Sequence, residues 1–232
     1  MEKVKSVLYI PDGNRRFARK NNISLDRAYA EGAKTLRLGS EFFLTNGISE
    51  TFIYHAMSDY THRRTDLSLE PIYNVFRKIF SNLEKENHFR NNNISFKAID
   101  HSGKIPRDIL DITRRMEDST KNLDKNLFVL LGYSLEQDYN SSLANHPQNY
   151  KELRNRLIFS DIDLVIRPKE MRASRGPVYA MAQSQMITLD KLNPEVRAKD
   201  FERVLNEYFK WKNYKTQHSA NPSPLIIQQP SP

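Results

Sequence analysis

The sequence contains no cysteine, which excludes disulfide bonds, thiolate catalysis and cysteine-ligated zinc. It also lacks a long apolar run. The longest uninterrupted stretch, Leu127 to Leu131, is far shorter than the roughly 20 residues that span a bilayer. The first residues form no signal-peptide pattern, because the apolar run that follows them is too short. We therefore expect a soluble, cytoplasmic protein.

The composition indicates one α/β domain with an anionic partner. The 232 residues, 38% of them apolar, are enough for a single sizeable core. The formal net charge of +8 favours an anionic ligand. Charge alone does not say whether that ligand is a nucleic acid, a membrane surface or a diphosphate.

Strand-like and helical patterns alternate along the chain. Five runs, several of them almost continuously apolar, are typical of parallel strands buried on both faces: residues 6–10, 51–57, 94–99, 126–131 and 162–167. Helical spacing of apolar residues occurs between and after them, as in residues 69–83 and 201–209. We predict an α/β fold with a mostly parallel central sheet flanked by helices. It would form a single catalytic domain of residues 1–216, followed by a disordered, proline-rich tail of residues 217–232.

The segment from Ile10 to Arg19 is the strongest local signal. It joins an apolar run to a helical sequence, and such a turn directs backbone N–H groups and the positive end of the helix dipole toward an anion. Gly13 permits close approach of the backbone, and Arg15 and Arg16 can donate forked hydrogen bonds to phosphate. Asp12 would repel a phosphate unless a cation lay between them, a condition that Mg²⁺ meets. The alternative is an ordinary Asp-Gly-Asn turn before a solvated basic helix.

A second basic cluster follows the last strand-like run. It comprises Arg167, Lys169, Glu170, Arg172, Ser174 and Arg175. Ligands of open α/β sheets bind beyond the carboxyl ends of the strands, so Arg167 would leave its strand at the edge where Asp12 follows the first strand. Two arginine-rich loops at one edge can hold two phosphorylated groups. The alternative is again a pair of solvated loops.

Both clusters resemble motifs of a known family. The run from Asp12 to Ala18 resembles the diphosphate-binding signature of the cis-prenyltransferases, and the run from Asp163 to Arg167 resembles their C-terminal Asp-Leu-x-Ile-Arg motif. Arg172 and Ser174 match the Arg-x-Ser that follows it, and the resemblance spans about residues 4 to 212. It implies the cis-prenyltransferase fold with a hydrophobic substrate tunnel. It also implies a homodimer that condenses prenyl diphosphates with Mg²⁺ as cofactor.

The resemblance assigns roles residue by residue. The catalytic group would be Asp12, Asn14 and Arg16, with Asp12 also the metal ligand. The residues that would hold the allylic diphosphate further include Gly13, Arg15 and Arg63. The second diphosphate would be held by Arg167, Arg172 and Ser174. The helices that wall the tunnel carry Phe42, Phe76 and Phe80. If several of these rings face inward, their bulk favours a product of two or three isoprene units. The alternative is that the rings fill the core.

The sequence departs from the family pattern at several positions. Tyr29 stands where most members have a histidine, and residues 57–61 replace the usual Ser-x-x-Asn-Trp stretch, whose side chains assist proton removal during elongation. Gln185 occupies the position of the partner-subunit glutamate that completes the metal site. Two other segments, Ile23–Asp26 and Leu131–Leu135, resemble the lavandulyl and cyclolavandulyl diphosphate synthases, which join allylic units head-to-middle.

The sequence therefore predicts a prenyltransferase that condenses two short prenyl diphosphates with loss of pyrophosphate, giving a short, irregular product. Regular cis-elongation with isopentenyl diphosphate stays open, because Asn14 follows the elongating enzymes. A non-catalytic scaffold subunit that binds lipid diphosphate is the third hypothesis. No nucleic-acid partner is predicted, since the aromatic and basic residues of 208–215 fit an amphipathic helix better. Peripheral membrane contact is compatible with the charge, and the six histidines are interpreted as core or surface residues.

Overall fold

The computed structural model describes residues 3–65, 68–144 and 146–219. Its centre is one six-stranded sheet with strand order β3-β4-β2-β1-β5-β6, in which every pairing is parallel. The strands are β1 (Val4–Tyr9), β2 (Ser49–Tyr54), β3 (Ile94–Asp100), β4 (Lys125–Gly132), β5 (Leu164–Pro168) and β6 (Gln185–Leu189). The predicted α/β class and parallel sheet are confirmed. The sequence pattern missed β6, which has only five residues and begins with a polar one.

Helices connect and flank the strands. They are α1 (Asn14–Asn21), α2 (Leu25–Gly39), α3 (Glu70–Lys85), α4 (His88–Asn91), α5 (Arg107–Ser119), α6 (Leu135–Leu143), α7 (Tyr150–Arg156) and α8 (Ala198–Ser219). The Ser24 side chain caps α2 by accepting a hydrogen bond from the Arg27 N–H. A π-helical segment, Ser40–Thr45, continues α2 to Asn46. No described helix is long and apolar enough to cross a membrane.

The end of the chain lies partly outside the described residues. Helix α8 continues to Ser219, so the first three residues of the predicted disordered tail, 217–219, belong to its last turn. The rest of that tail, residues 220–232, lies outside the described residues.

The sheet is buried on both faces, as its apolar runs predicted. Alternate side chains of β1 face different clusters: Val7 and Tyr9 pack with the larger core, and Leu8 with the smaller one on the opposite face. The strand register aligns Tyr9 with Tyr54 of β2 and with Ile166 of β5. Because these three strands are parallel neighbours, their carboxyl ends meet at one edge, and the loops that follow them lie together there.

Candidate active site

A cavity of about 420 Å³ opens at the carboxyl edge of β1, β2 and β5. Eight of the predicted site residues line it: Asp12, Gly13, Asn14, Arg15, Arg16, Arg167, Arg172 and Ser174. Further lining residues include Arg19, Tyr29, His55, Met57, Ser58, Arg64 and Glu170. The two basic clusters, about 150 residues apart in the sequence, thus form one site.

The turn between β1 and α1 depends on glycine. Gly13 has a φ of 100°, in the left-handed region that disfavours other residues. A Cβ atom there would also lie 2.7 Å from the Cδ2 of Leu192, which packs against the turn. The turn ends at the N-terminus of α1, where the first N–H groups and the helix dipole favour an anion.

Arg167 is the centre of the second cluster. Although charged, it is only 2% exposed, and its Nη2 donates to Asp12 Oδ2 at 2.6 Å. Its Nη1 donates to the carbonyl of Arg172 at 2.6 Å and to the Ser174 hydroxyl. A buried guanidinium requires such partners, because desolvation of an unpaired charge is very unfavourable. Arg167 therefore ties the β1–α1 turn to the loop after β5.

Glu170 is a site residue to which the sequence analysis assigned no role. The Nη2 of Arg16 lies 3.1 Å from Asp12 Oδ1 and 3.2 Å from Glu170 Oε1. Arg172 Nε lies 2.7 Å from Glu170 Oε2. Three guanidinium groups thus share two carboxylates, and the excess positive charge favours an anionic ligand. In the sequence, the signal for Glu170 is its acidic side chain within an otherwise arginine-rich loop.

His55 is a second unpredicted residue of the cavity wall. It follows β2 directly and is buried, and its Nδ1 has no hydrogen-bond partner among the described residues. Burial, together with the smaller effect of the nearby Arg167 charge, lowers the pKa of His55 to about 4. The ring is therefore neutral at physiological pH. The expectation that the histidines are core or surface residues agrees with the burial of His55. It did not place His55 at the site.

The side chain of Asn14 is hydrogen-bonded to Asn193, a buried residue in the short 3₁₀ segment Asn193–Glu195. The Nδ2 of Asn193 donates to Asn14 Oδ1 at 3.1 Å, and its backbone N–H donates to the carbonyl of Asp12 at 2.8 Å. No sequence motif singled out Asn193. Only its position after β6, at the same sheet edge, brings it to the turn.

Arg63 does not line the cavity. Its side chain is 65% exposed, and its Nη2 lies 2.8 Å from Asp59 Oδ2. The next residue, Arg64, lines the cavity instead. Gln185 is also outside this cavity. It is the first residue of β6 and pairs with Leu164 at the amino end of β5, so it lies at the opposite edge of the sheet.

The three predicted tunnel residues lie in different surroundings. Phe76 lines an apolar cavity of about 50 Å³ that shares Asn14 and Tyr29 with the main cavity. Phe80 is fully buried and stacks on Phe76 with ring centroids 5.6 Å apart. Phe42 packs against Phe43 and Phe201 in the core. The described residues show no continuous tunnel, and the role of these rings stays a prediction.

Solved structures share this fold. The chain is similar to lavandulyl diphosphate synthase from Lavandula x intermedia in complex with dimethylallyl diphosphate, with a TM-score of 0.81 and 17% identity over 89% of this chain and 95% of that one. It is also similar to a probable undecaprenyl diphosphate synthase from Campylobacter jejuni, with a TM-score of 0.70 and 18% identity over 90% and 96% of the two chains.

Curated relatives agree with the structural neighbours. A tritrans,polycis-undecaprenyl-diphosphate synthase (geranylgeranyl-diphosphate specific) of Sulfurisphaera tokodaii is 28% identical over 220 residues, which cover 88% of this chain and 84% of the relative. An isoprenyl transferase of Fusobacterium nucleatum is 27% identical over 214 residues, which cover 88% and 92%.

The parallel sheet, its arginine-lined edge cavity and these relatives together define a class, the cis-prenyltransferases. The chain is thus an enzyme that transfers prenyl groups. Within the class it belongs to the undecaprenyl diphosphate synthase family, whose sequence model matches residues 10–215.

Proposed function

We propose that this enzyme condenses two short prenyl diphosphates with release of inorganic diphosphate. The proposal rests on one observation. The Asp12–Arg16 turn lines the same cavity as Arg167, Arg172 and Ser174. Asp12, Asn14 and Arg16 would act on the allylic substrate, and Gly13 and Arg15 would help to hold its diphosphate. Arg167, Arg172 and Ser174 would hold the diphosphate of the second substrate.

Charge stabilisation is the main catalytic effect in this proposal. When the allylic C–O bond breaks, the diphosphate leaves with the electron pair, and negative charge grows on its oxygens. Arg16 can donate charge-assisted hydrogen bonds to these oxygens from a position already fixed by Asp12 and Glu170. The allylic cation is then attacked by the double bond of the second substrate, and a proton is lost to complete the product.

The residues at the turn fit a magnesium ion. Asp12 presents a partly exposed carboxylate in the cavity, and Mg²⁺ in phosphate-binding enzymes is held by one or two carboxylates together with substrate phosphates. Asp12 would hold the ion, which when bound would neutralise charge on the departing diphosphate. The family is generally Mg²⁺-dependent, which supports this assignment.

The narrow apolar space supports a short product. Tyr29, Tyr54 and Phe76 enclose the cavity of about 50 Å³ beside Asn14. A chain of many isoprene units would have to displace these rings. We infer a product of two or three isoprene units.

Head-to-middle joining is the coupling we propose. The loop after β2 carries Met57 at the cavity, where elongating relatives have a serine, and Tyr60 lies under the guanidinium of Arg175, whose Cζ is 4.0 Å from its ring centroid. At these two positions the loop therefore departs from the family pattern whose side chains assist proton removal in ordinary elongation. Regular elongation is the second candidate, supported by Asn14 and by relatives named as undecaprenyl diphosphate synthases.

One experiment separates these candidates. The purified protein is incubated with Mg²⁺ and dimethylallyl diphosphate alone, and in parallel with isopentenyl diphosphate added, and the dephosphorylated products are analysed by mass spectrometry. Head-to-middle joining predicts a branched product from the allylic diphosphate alone. A linear product formed only with isopentenyl diphosphate would establish regular elongation instead. No product from either mixture, with diphosphate binding retained, would favour the scaffold hypothesis.

Assembly and location are further parts of the proposal. We infer a cytoplasmic homodimer with peripheral membrane contact, supported by the family resemblance and by the formal net charge of +8. Sedimentation velocity tests the dimer, and flotation with anionic vesicles tests the membrane contact.

A further inference from the structure

A buried polar cluster lies directly beneath the β1–α1 turn. Its members are Tyr9, Gly32, Thr35, Tyr54 and Asn193. We propose that Asn193 is a positioning residue, which fixes the carboxamide of Asn14 so that its NH₂ group faces the diphosphate. This inference rests on the proposed function, because it deepens the role of Asn14 in the same site.

The carboxamide orientation of Asn193 follows from its neighbours. Its Oδ1 lies 2.7 Å from the Tyr9 hydroxyl and 3.0 Å from that of Thr35, both of which can donate. Its Nδ2 lies 2.9 Å from the backbone carbonyl of Gly32. A carbonyl oxygen can only accept a hydrogen bond, so the Asn193 atom facing it must be the nitrogen. The opposite assignment would bring two oxygens together and leave both buried hydroxyls without this acceptor.

The orientation of Asn14 then follows from Asn193. The fixed Nδ2 of Asn193 lies 3.1 Å from the carboxamide of Asn14, and a donor must face an acceptor. Asn14 therefore directs its Oδ1 toward Asn193. Its NH₂ group can then donate a hydrogen bond within the cavity that Asn14 lines. An NH₂ group stabilises a diphosphate oxygen, whereas a carboxamide oxygen in its place would repel it.

Gly32 shows how closely this arrangement is packed. A Cβ atom on Gly32 would lie 2.1 Å from Asn14 Oδ1 and 2.6 Å from Asn193 Nδ2. Any residue other than glycine at position 32 would therefore separate the carboxamides of Asn14 and Asn193. Asn193 is also fully buried, and it binds the Asp12 carbonyl through its own N–H. One residue thus holds both the backbone and a side chain of the turn.

The first test is a double-mutant cycle. Asn193→Ala should lower kcat/KM tenfold or more, mainly through kcat, and should weaken the binding of inorganic diphosphate with Mg²⁺ several-fold by calorimetry. In an Asn14→Ala background the same change should cost less than threefold, because its effect passes through Asn14. Fully additive effects, or diphosphate binding by Asn193→Ala equal to that of the unmodified protein, would overturn the proposal.

Thr120→Val is the matched control for lost stability. Thr120 is buried beneath the far end of the sheet, where its Oγ1 accepts from the Phe96 N–H at 3.0 Å and donates to the Met116 carbonyl. Its loss should lower Tm as Asn193→Ala does, without changing diphosphate affinity or kcat. If Thr120→Val weakens diphosphate binding equally, the effect of Asn193→Ala is general destabilisation and the proposal is wrong.

The second test uses the unmodified protein and does not depend on turnover. The side-chain NH₂ signals of Asn14 and Asn193 are assigned by NMR, and inorganic diphosphate and Mg²⁺ are added. The Asn14 signals should shift strongly and those of Asn193 only weakly. The reverse pattern, or no binding at all, would overturn the orientation. Binding with the expected shifts but no prenyl product in the assay above would refute the proposed reaction and leave the positioning role supported.

Discussion

Replacement of a single arginine in this site should have a large effect, because several arginines contact the same two carboxylates. Arg16 bridges Asp12 and Glu170, and Arg167 reaches Asp12 from a fully buried position. Removal of either guanidinium leaves Asp12 with one arginine instead of two, in the cavity proposed to accept a diphosphate. The cost therefore includes both the lost contacts and the lower positive charge of the cavity.

Arg16→Ala and Arg167→Ala should each lower kcat/KM by about 10- to 1000-fold, because each removes charge-assisted hydrogen bonds to a diphosphate. Arg90→Ala provides the control, since Arg90 is exposed on α4 and far from the cavity lining. Steady-state kinetics on the three variants give the comparison. Turnover near that of the unmodified protein in both site variants would show that the diphosphates bind elsewhere.

Asp12→Ala should abolish Mg²⁺-dependent turnover, because the ion loses its proposed protein ligand. Gln185→Glu is the second variant in this test of the metal site, since Gln185 lies at the opposite edge of the sheet. It should leave turnover unchanged, or lower the Mg²⁺ concentration needed if a partner subunit brings it to the metal. Turnover is measured over a Mg²⁺ titration. Undiminished Mg²⁺-dependent activity in Asp12→Ala would contradict the metal assignment.

Local motifs could predict the residues that lie next to one another in the sequence. The turn from Asp12 to Arg16 and the loop around Arg172 were readable because each carries several phosphate-binding residue types together. His55 and Asn193 are single residues whose neighbours in the sequence do not indicate a site. Their places depend on strand register and on a loop after β6, and neither is encoded locally. Glu170 lies in the arginine-rich loop, but its negative charge is opposite to that of a phosphate-binding side chain.

At the scale of elements, strands β1 to β5 could be predicted because their apolar runs are nearly continuous. Strand β6 could not, because it is a short edge strand, and the first and fourth of its five residues, Gln185 and Thr188, are polar. The same limit applies to α3. The sequence pattern predicted its apolar face, but did not say which rings fill the core and which border the space beside Asn14.

Phe76→Ala should lengthen the product by at least one isoprene unit, because Phe76 borders the small apolar cavity. Phe80→Ala is the matched control one turn further along α3. Phe80 is fully buried in the core, so its loss should cost about 3 to 5 kcal/mol of unfolding free energy without lengthening the product. Product analysis and chemical denaturation distinguish the two. A longer product from Phe80→Ala alone would place the chain-length limit deeper in the core.

At the scale of the whole molecule, stability should fall in mild acid. The pKa of His55 is about 4 in the folded protein and 6.5 in the unfolded chain, so between these values the unfolded state binds a proton that the folded state does not. Stability from this residue is fully present above about pH 6.5 and is lost as pH falls toward 4. A separation of about 2.5 pH units corresponds to about 3 kcal/mol.

Denaturant unfolding at pH 7 and pH 4.5 measures this loss, and His55→Gln should reduce it. His88 adds to the same trend, because burial also lowers its pKa. The pH dependence would be unaffected by His55→Gln if the imidazole were protonated in the folded protein, and that result would contradict its burial as a neutral ring.

The strand order has a consequence for synthesis of the chain. Strand β1 is made first, yet its neighbour β5 arrives about 160 residues later, and the Asn193 contact to Asn14 later still, at a sequence separation of 179 residues. Contacts this distant in sequence form slowly, because a long loop must close before they contribute. A nascent chain on the ribosome therefore displays the turn proposed to bind diphosphate long before it has a pocket. Substrate can act as a folding ligand only for the finished chain, and truncation before Asn193 should leave a protein that diphosphate no longer protects from proteolysis.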